Sequence, residues 1–272
     1  MNAVTADGVQ LSLVRVRAVG PRRGVVVCLH AMMADKRYFG RFLQGLAELG
    51  VDAFAADFRG HGGSVPPTAT DGWTFDDLVE LDLPAIVTAV AREASCTIGE
   101  VAVLGHSLGG LVATAALGTG RIPRCKSLIL VATGVWLDVS LRRRLLIRAF
   151  RASAQLAGRA PMRALRIGSN DEAKPYVMQM SGWVHSGRWT SLRGVDYLAS
   201  LRGIDVPTIS CASVADWLCT PSDAAQIAGR IATASPMRLV GRAHGDAIDP
   251  DHFGLLVRHE MQPLWSWIAA SC

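Results

Sequence analysis

Residues 100–110 of the chain read EVAVLGHSLGG. The first five read as a short strand, and after Glu100 they are apolar, of the kind carried by a strand buried on both faces. Residues 107–117 read as a helix, so Gly105-His106-Ser107-Leu108-Gly109 spans a strand-to-helix turn. That is the context a G-x-S-x-G nucleophile elbow requires. A turn this tight needs small residues around the serine, and its strain pushes the hydroxyl out at the C-terminal edge of a sheet. The helix N-terminus behind the serine aims the Leu108 backbone N–H at the place where an oxyanion would form.

The segments on either side continue the same rhythm. Strands are expected at residues 10–16 (QLSLVRV, alternating), 24–29 (GVVVCL), 51–57, 100–104 and 127–132 (SLILVA). Helices are expected at residues 38–49, ended by Gly50, at 73–92 and at 107–117. Strand and helix alternate, which predicts an α/β protein with a mostly parallel sheet and helices on both faces. From residue 134 to about 205 no convincing strand occurs. The alternation resumes with a strand at 207–211, a helix at 222–231, a strand at 237–240 and one final helix over 254–269. The expected organisation is a single α/β core, residues 1–133 and 206–272, with a helical insertion at 134–205.

Composition narrows the classes. The 272 residues are 50% hydrophobic and 19% charged, which excludes a disordered chain. The longest apolar runs fall far short of a membrane span, and the first twenty residues lack the charged and apolar regions of a secretory signal. The net charge of +5 is a mild excess, read as ordinary solvated charge and not as a nucleic-acid surface. Six scattered cysteines without a C-x-x-C pair argue against a metal site; free thiols in a reducing cytoplasm are the expectation.

A serine hydroxyl needs a base, and the base an acid to orient it. In an α/β chain of this kind the order is serine, acid, histidine. The loop after the strand at 207–211 holds one acid, Asp216; Asp223 stands at a helix start, where capping explains it. Two histidines follow the strand at 237–240. His244 lies close behind it between glycines, and His252 just before the last helix; either could reach the elbow.

Four segments carry a family resemblance: Leu29-His30-Ala31-Met32-Met33, Asp57-Phe58-Arg59-Gly60-His61-Gly62-Gly63-Ser64, Gly105-His106-Ser107-Leu108-Gly109-Gly110 and Asp251-His252-Phe253-Gly254. Together they resemble the α/β-hydrolase superfamily over nearly the whole chain, and within it bacterial serine hydrolases of the serine aminopeptidase S33 and lipase-like group. The resemblance implies the α/β-hydrolase fold and favours His252 over His244 as the base. It makes the Met32 N–H the second oxyanion donor, although Ala31 stands where the family pattern has glycine. It implies loop-bracing roles for His30, Arg59 and His61, with Asp57 structural, and it places residues 134–205 as a cap.

Within that insertion, Leu141, Leu145, Leu146, Ala149 and Phe150 fall on one helical face among Arg142, Arg143, Arg144, Arg148 and Arg151. The expectation is a cap helix with its apolar side over a pocket and its arginines in water; contact with an anionic membrane is the less favoured reading. Trp136, Trp183, Trp189, Met178 and Met180 are candidates either for the pocket wall or for the core of the insertion. The reading as a whole is a serine hydrolase of carboxylic esters, acting through Ser107, Asp216 and His252 on a small ester or acyl substrate without metal or organic cofactor. A thioesterase or acyltransferase would use the same three groups, and a peptidase is a weaker option. The contrasting class is a non-catalytic binding protein of the same fold.

Overall fold

The computed structural model describes residues 1–64, 72–137 and 139–272. Its centre is an eight-stranded sheet: β1 (Asn2–Val4), β2 (Gln10–Val16), β3 (Gly24–Leu29), β4 (Val51–Ala56), β5 (Val101–His106), β6 (Ser127–Val131), β9 (Thr208–Ser213) and β10 (Arg238–Val240). The spatial order is β1-β2-β4-β3-β5-β6-β9-β10. β1–β2 and β2–β4 pair antiparallel at one edge, and every pair from β4–β3 onward is parallel.

The continuous apolar runs are explained by burial on both faces. In β3, Val25, Val27 and Leu29 join one apolar core, while Val26 and Cys28 join the other. In β5, Val101 and Val103 point one way and Ala102 and Leu104 the other. Helix α1 (Gly40–Glu48) covers one face with Phe42, Leu43 and Leu46, and Gly50 beyond its end takes the left-handed φ of 84° that lets the chain turn into β4. α3 (Leu83–Ala94) and α4 (Leu108–Gly118) cover the other face. α3 follows a short helical turn, α2 (Phe75–Asp77), whose capping box joins Thr74 and Asp77, and a π-helical turn, Leu78–Asp82, ahead of Pro84.

Between β6 and β9 lie α5 (Leu141–Ala157), the two-residue strands β7 (Arg159–Ala160) and β8 (Glu172–Ala173), α6 (Lys174–Ser186) and α7 (Tyr197–Ser200). The small β7–β8 ladder corrects the strandless reading of this stretch; two-residue strands carry no periodicity to read. The segment does not sit apart from the sheet domain. Tyr176 stacks on Trp73 at 5.1 Å between ring centres, and Trp183 meets Phe75 edge-on at 5.0 Å. Trp189 is fully buried in that aromatic cluster.

Two further expectations are corrected. The last helix is two: α9 (Gly254–Val257) and α10 (Gln262–Ala269), separated by extended backbone at Arg258 and a 3₁₀ turn, with Pro263 in the first turn of α10. α8 (Pro221–Ala228) completes the helices after β9. The second correction concerns the rotation of α5. Leu141, Leu145 and Leu146 face solvent, and Ile147 and Ala154 face inward. The cause is Arg143, which forms two hydrogen bonds to Asp223 at 3.0 and 2.8 Å and lies over the Trp136 ring at 4.6 Å. That anchor fixes which side of the helix looks inward.

Candidate active site

The turn after β5 is built as its residues require. Ser107 has φ 52° and ψ −112°, a conformation that side-chain-bearing residues seldom hold without compensation. Its N–H donates to the Val131 carbonyl at 3.0 Å, and the Gly109 N–H donates to the His30 carbonyl at 3.1 Å. A Cβ on Gly105 would stand 2.3 Å from Gly110, and one on Gly109 would stand 2.3 Å from the Leu29 carbonyl oxygen. The turn tolerates no side chain at either position.

Asp216 comes off the loop after β9 and His252 off the loop before α9, and the two meet. His252 Nδ1 lies 2.6 Å from Asp216 Oδ2. The other carboxylate oxygen accepts the N–H groups of Leu218 and Cys219 at 2.8 and 3.1 Å. A carboxylate only accepts, so His252 Nδ1 carries the proton and a neutral ring leaves Nε2 as an acceptor. His244 is exposed in a 3₁₀ turn elsewhere, as is His259.

A second histidine joins the parts of the site. His106 is fully buried, and its Nε2 lies 3.0 Å from the His252 carbonyl oxygen, so it must donate there. Its Nδ1 then accepts from the Tyr38 hydroxyl at 2.8 Å, and the Tyr38 oxygen in turn accepts the Ala31 N–H at 3.3 Å. One chain of hydrogen bonds therefore runs from the loop after β3 through the elbow to the backbone of His252. Burial, with the His252 imidazole as a neighbour, pushes the His106 pKa well below the ordinary 6.5; burial and the neighbouring His61 push His30 down to about 4.

These rings make acid a specific threat to the fold. Unfolded histidine takes up its proton near 6.5, whereas folded His30 does so only near 4, so the native state binds fewer protons in between. Their contribution to stability is present above pH 6.5 and is lost as pH falls toward 4. Replacing His106 by asparagine is expected to flatten the fall in urea midpoint between about pH 7 and about pH 5. An unchanged slope would show that this ring does not couple folding to protons.

The loop after β3 is held from the 134–205 segment by residues the local sequence pattern does not mark. Glu172, fully buried, accepts the Met33 N–H at 2.5 Å and lies 3.2 Å from His61 Nε2. His61 Nδ1 faces the Arg59 carbonyl at 2.9 Å, so both ring nitrogens meet acceptors. Burial opposes a charged ring there, but the Glu172 carboxylate outweighs it and the His61 pKa lies above its ordinary value. The Asn170 side chain donates to the Ala34 carbonyl at 3.1 Å, and its own N–H donates to the Met33 carbonyl at 3.1 Å. Met33, with φ 62°, takes the left-handed conformation in this loop, and Ala31 fits where the family pattern has glycine. Asp57 accepts the N–H groups of Lys36 at 2.6 Å and Gly63 at 2.8 Å and pairs with the Lys36 ammonium. Arg59 bridges Asp7 and Asp82, and His30 accepts the Phe58 N–H at 3.1 Å.

Ser107, His252, Met32 and Leu108 line one cavity of about 830 Å³, its mouth included. Trp136, Ile147, Met180 and Trp183 supply its far wall, so the aromatic and methionine candidates divide: these face the cavity, while Trp189 and Met178 belong to the packed core. Among the described residues, the backbone N–H groups of Met32 and Leu108 donate to no protein acceptor. A half-buried serine at a strained turn, an imidazole oriented by a carboxylate and two N–H donors without a protein acceptor among the described residues, all around one cavity, are the parts that acyl transfer needs.

Comparison with known proteins places this architecture. The sheet, crossovers and elbow form the α/β-hydrolase fold. The chain belongs to the serine aminopeptidase S33 family, whose profile matches residues 20–240. Among solved structures it is similar to an esterase from Exiguobacterium antarcticum (TM-score 0.68, 18% identity, 99% of each chain covered). It is also similar to a thermophilic esterase from Thermogutta terrifontis (TM-score 0.67, 16% identity, 100% of this chain and 98% of that one). An enol-lactonase from Burkholderia xenovorans aligns with TM-score 0.64 at 16% identity, over 100% of this chain and 99% of that one. No curated protein sequence matches the chain.

Proposed function

We propose that the protein hydrolyses carboxylic esters through an acyl-enzyme on Ser107. The observation that carries this reading is the 2.6 Å contact of His252 Nδ1 with Asp216, beside the strained elbow and open to the same cavity as Ser107. His252 Nε2 takes the Ser107 proton as the hydroxyl oxygen attacks the ester carbonyl. The Met32 and Leu108 N–H groups receive the developing oxyanion. His252 then returns the proton to the leaving alcohol, and a water activated by the same ring releases the acid.

The wall of the cavity favours an apolar acyl group. Met32, Leu111, Val135, Trp136, Ile147, Met180 and Trp183 line it, and among its described lining residues none is acidic. Recognition of a free amino terminus would call for a carboxylate, so the lining supports an ester over an N-terminal peptide. A thioester would present the same acyl group with a different leaving group.

The test is a series of p-nitrophenyl esters of increasing acyl length beside the matching acyl-CoA thioesters. Each methylene buried is worth about 0.8 kcal/mol, so kcat/KM is expected to rise roughly fourfold per carbon until the cavity is filled. A flat or falling profile would remove the acyl-pocket reading. Faster turnover of the thioesters would move the assignment to a thioesterase.

A further inference from the structure

The outward face of α5 is apolar, against the ordinary rule that a surface helix turns its polar side to water. Leu141 is 71% exposed, Leu145 53% and Leu156 90%. With Ala149 and Ala152 they fall within an arc of about 80° at 100° per residue. Ile147, on the opposite side of the helix, lines the cavity. Among the described residues, the stripe therefore covers nothing. Arg144, Arg148 and Arg151 run along one edge of it and Arg142 along the other. Beside the start of the helix stands Trp217, 48% exposed, with the Arg142 guanidinium 4.9 Å above its ring.

The charge around the stripe has one sign. Residues 139–170 contain eight arginines and no aspartate or glutamate. Among the described residues, Arg142, Arg144, Arg148 and Arg151 are in no ion pair with a carboxylate. We propose that this face of α5, with Trp217, docks on an anionic lipid surface. The leucines and the indole would enter the boundary between headgroups and acyl chains, and the arginines would meet lipid phosphates. A second copy of the chain is a poor occupant, because it would oppose arginine to arginine. A nucleic acid would leave the exposed leucines against phosphates. No described helix is long and apolar enough to cross a membrane, so the helix would lie flat on it. Docked in this way, α5 stands between the lipid and the cavity.

The proposal is independent of the chemistry assigned to Ser107, since binding is read without turnover. The test is co-sedimentation of the whole protein with vesicles of equal parts phosphatidylcholine and phosphatidylglycerol, against vesicles of phosphatidylcholine alone. Binding to the anionic vesicles is expected, and it should weaken as salt is raised. The triple variant R142Q/R148Q/R151Q should bind about 100-fold more weakly, from roughly a fivefold loss per arginine at low salt. The variant L141Q/L145Q/L156Q should lose binding while keeping the melting temperature and the soluble-ester turnover of the parent, because its changed side chains are exposed. Equal binding to both vesicle types, no binding to either, or variants that bind like the parent would overturn the proposal. So would a shift of duplex DNA without vesicle binding, or a stable dimer that the leucine variant abolishes.

Discussion

Replacement of Ser107 by alanine is expected to lower ester turnover about 10³-fold or more while the fold survives, since the residual rate would come only from binding and the oxyanion donors. Among the described residues the hydroxyl makes no hydrogen bond that holds the turn; the Ser107 N–H to Val131 and the Gly109 N–H to His30 do that, and both are backbone bonds. Alanine keeps the same φ of 52°, so stability should change little. Glycine at the same place should go further. It relieves the left-handed strain and is expected to raise stability by about 1 kcal/mol while turnover stays lost. Steady-state kinetics and urea melts on the two variants check both halves. Activity above about a tenth of the parent in Ser107→Ala would remove the serine from the chemistry.

The second large effect separates two histidines. His252→Ala is expected to lose nearly as much activity as Ser107→Ala, because groups that act as a unit fail together. His244→Ala should keep most of it. The geometry behind this is local: His252 donates to Asp216 at 2.6 Å, and its backbone carbonyl accepts from His106 at 3.0 Å. Both the ring and the backbone of His252 are therefore held. His244 is exposed, and its N–H closes a 3₁₀ turn onto Gly241. Parallel kcat/KM measurements on the two alanine variants decide it. The reverse pattern would give the base to His244, which could happen only if the loop at residues 241–251 rearranged when substrate bound.

Much of the scaffold is legible in the chain because the cause is local. A strand buried on both faces writes itself as GVVVCL, and a tight strand-to-helix turn writes itself as small residues around Ser107. Asp216 stands out because it is the single acid in its loop. The choice between His244 and His252 is not local: both follow β10, and distance along the chain does not show which loop folds back. The rotation of α5 is hidden for the same reason. It depends on Arg143 meeting Asp223, 80 positions away, and the periodicity of the leucines alone points the helix the wrong way round. Glu172 reaches Met33 across 139 positions, and only the folded chain shows that the segment between β6 and β9 braces the loop carrying Met32. The break at Arg258 was open to a closer reading, since Pro263 cannot sit inside one unbroken helix without removing a hydrogen bond.

Ala31 shows how a departure from a family pattern can be absorbed. The unusual backbone in this loop sits at Met33, with φ 62°. The Met33 N–H is tied to Glu172 and its carbonyl to Ser169 and Asn170. Ala31 keeps its N–H on the Tyr38 hydroxyl. The loop is thus gripped on both sides of Met32, which lines the cavity with Ser107 and whose N–H meets no acceptor among the described residues.

The most direct test of Ser107 as the nucleophile is labelling with a fluorophosphonate probe, followed by peptide mass spectrometry. Such a probe is attacked by an activated serine and leaves a covalent phosphonyl group on its oxygen. The account predicts one adduct, on the peptide containing Ser107, formed by the parent and by His244→Ala and absent from Ser107→Ala and His252→Ala. No adduct, or an adduct on another residue that survives Ser107→Ala, would contradict it.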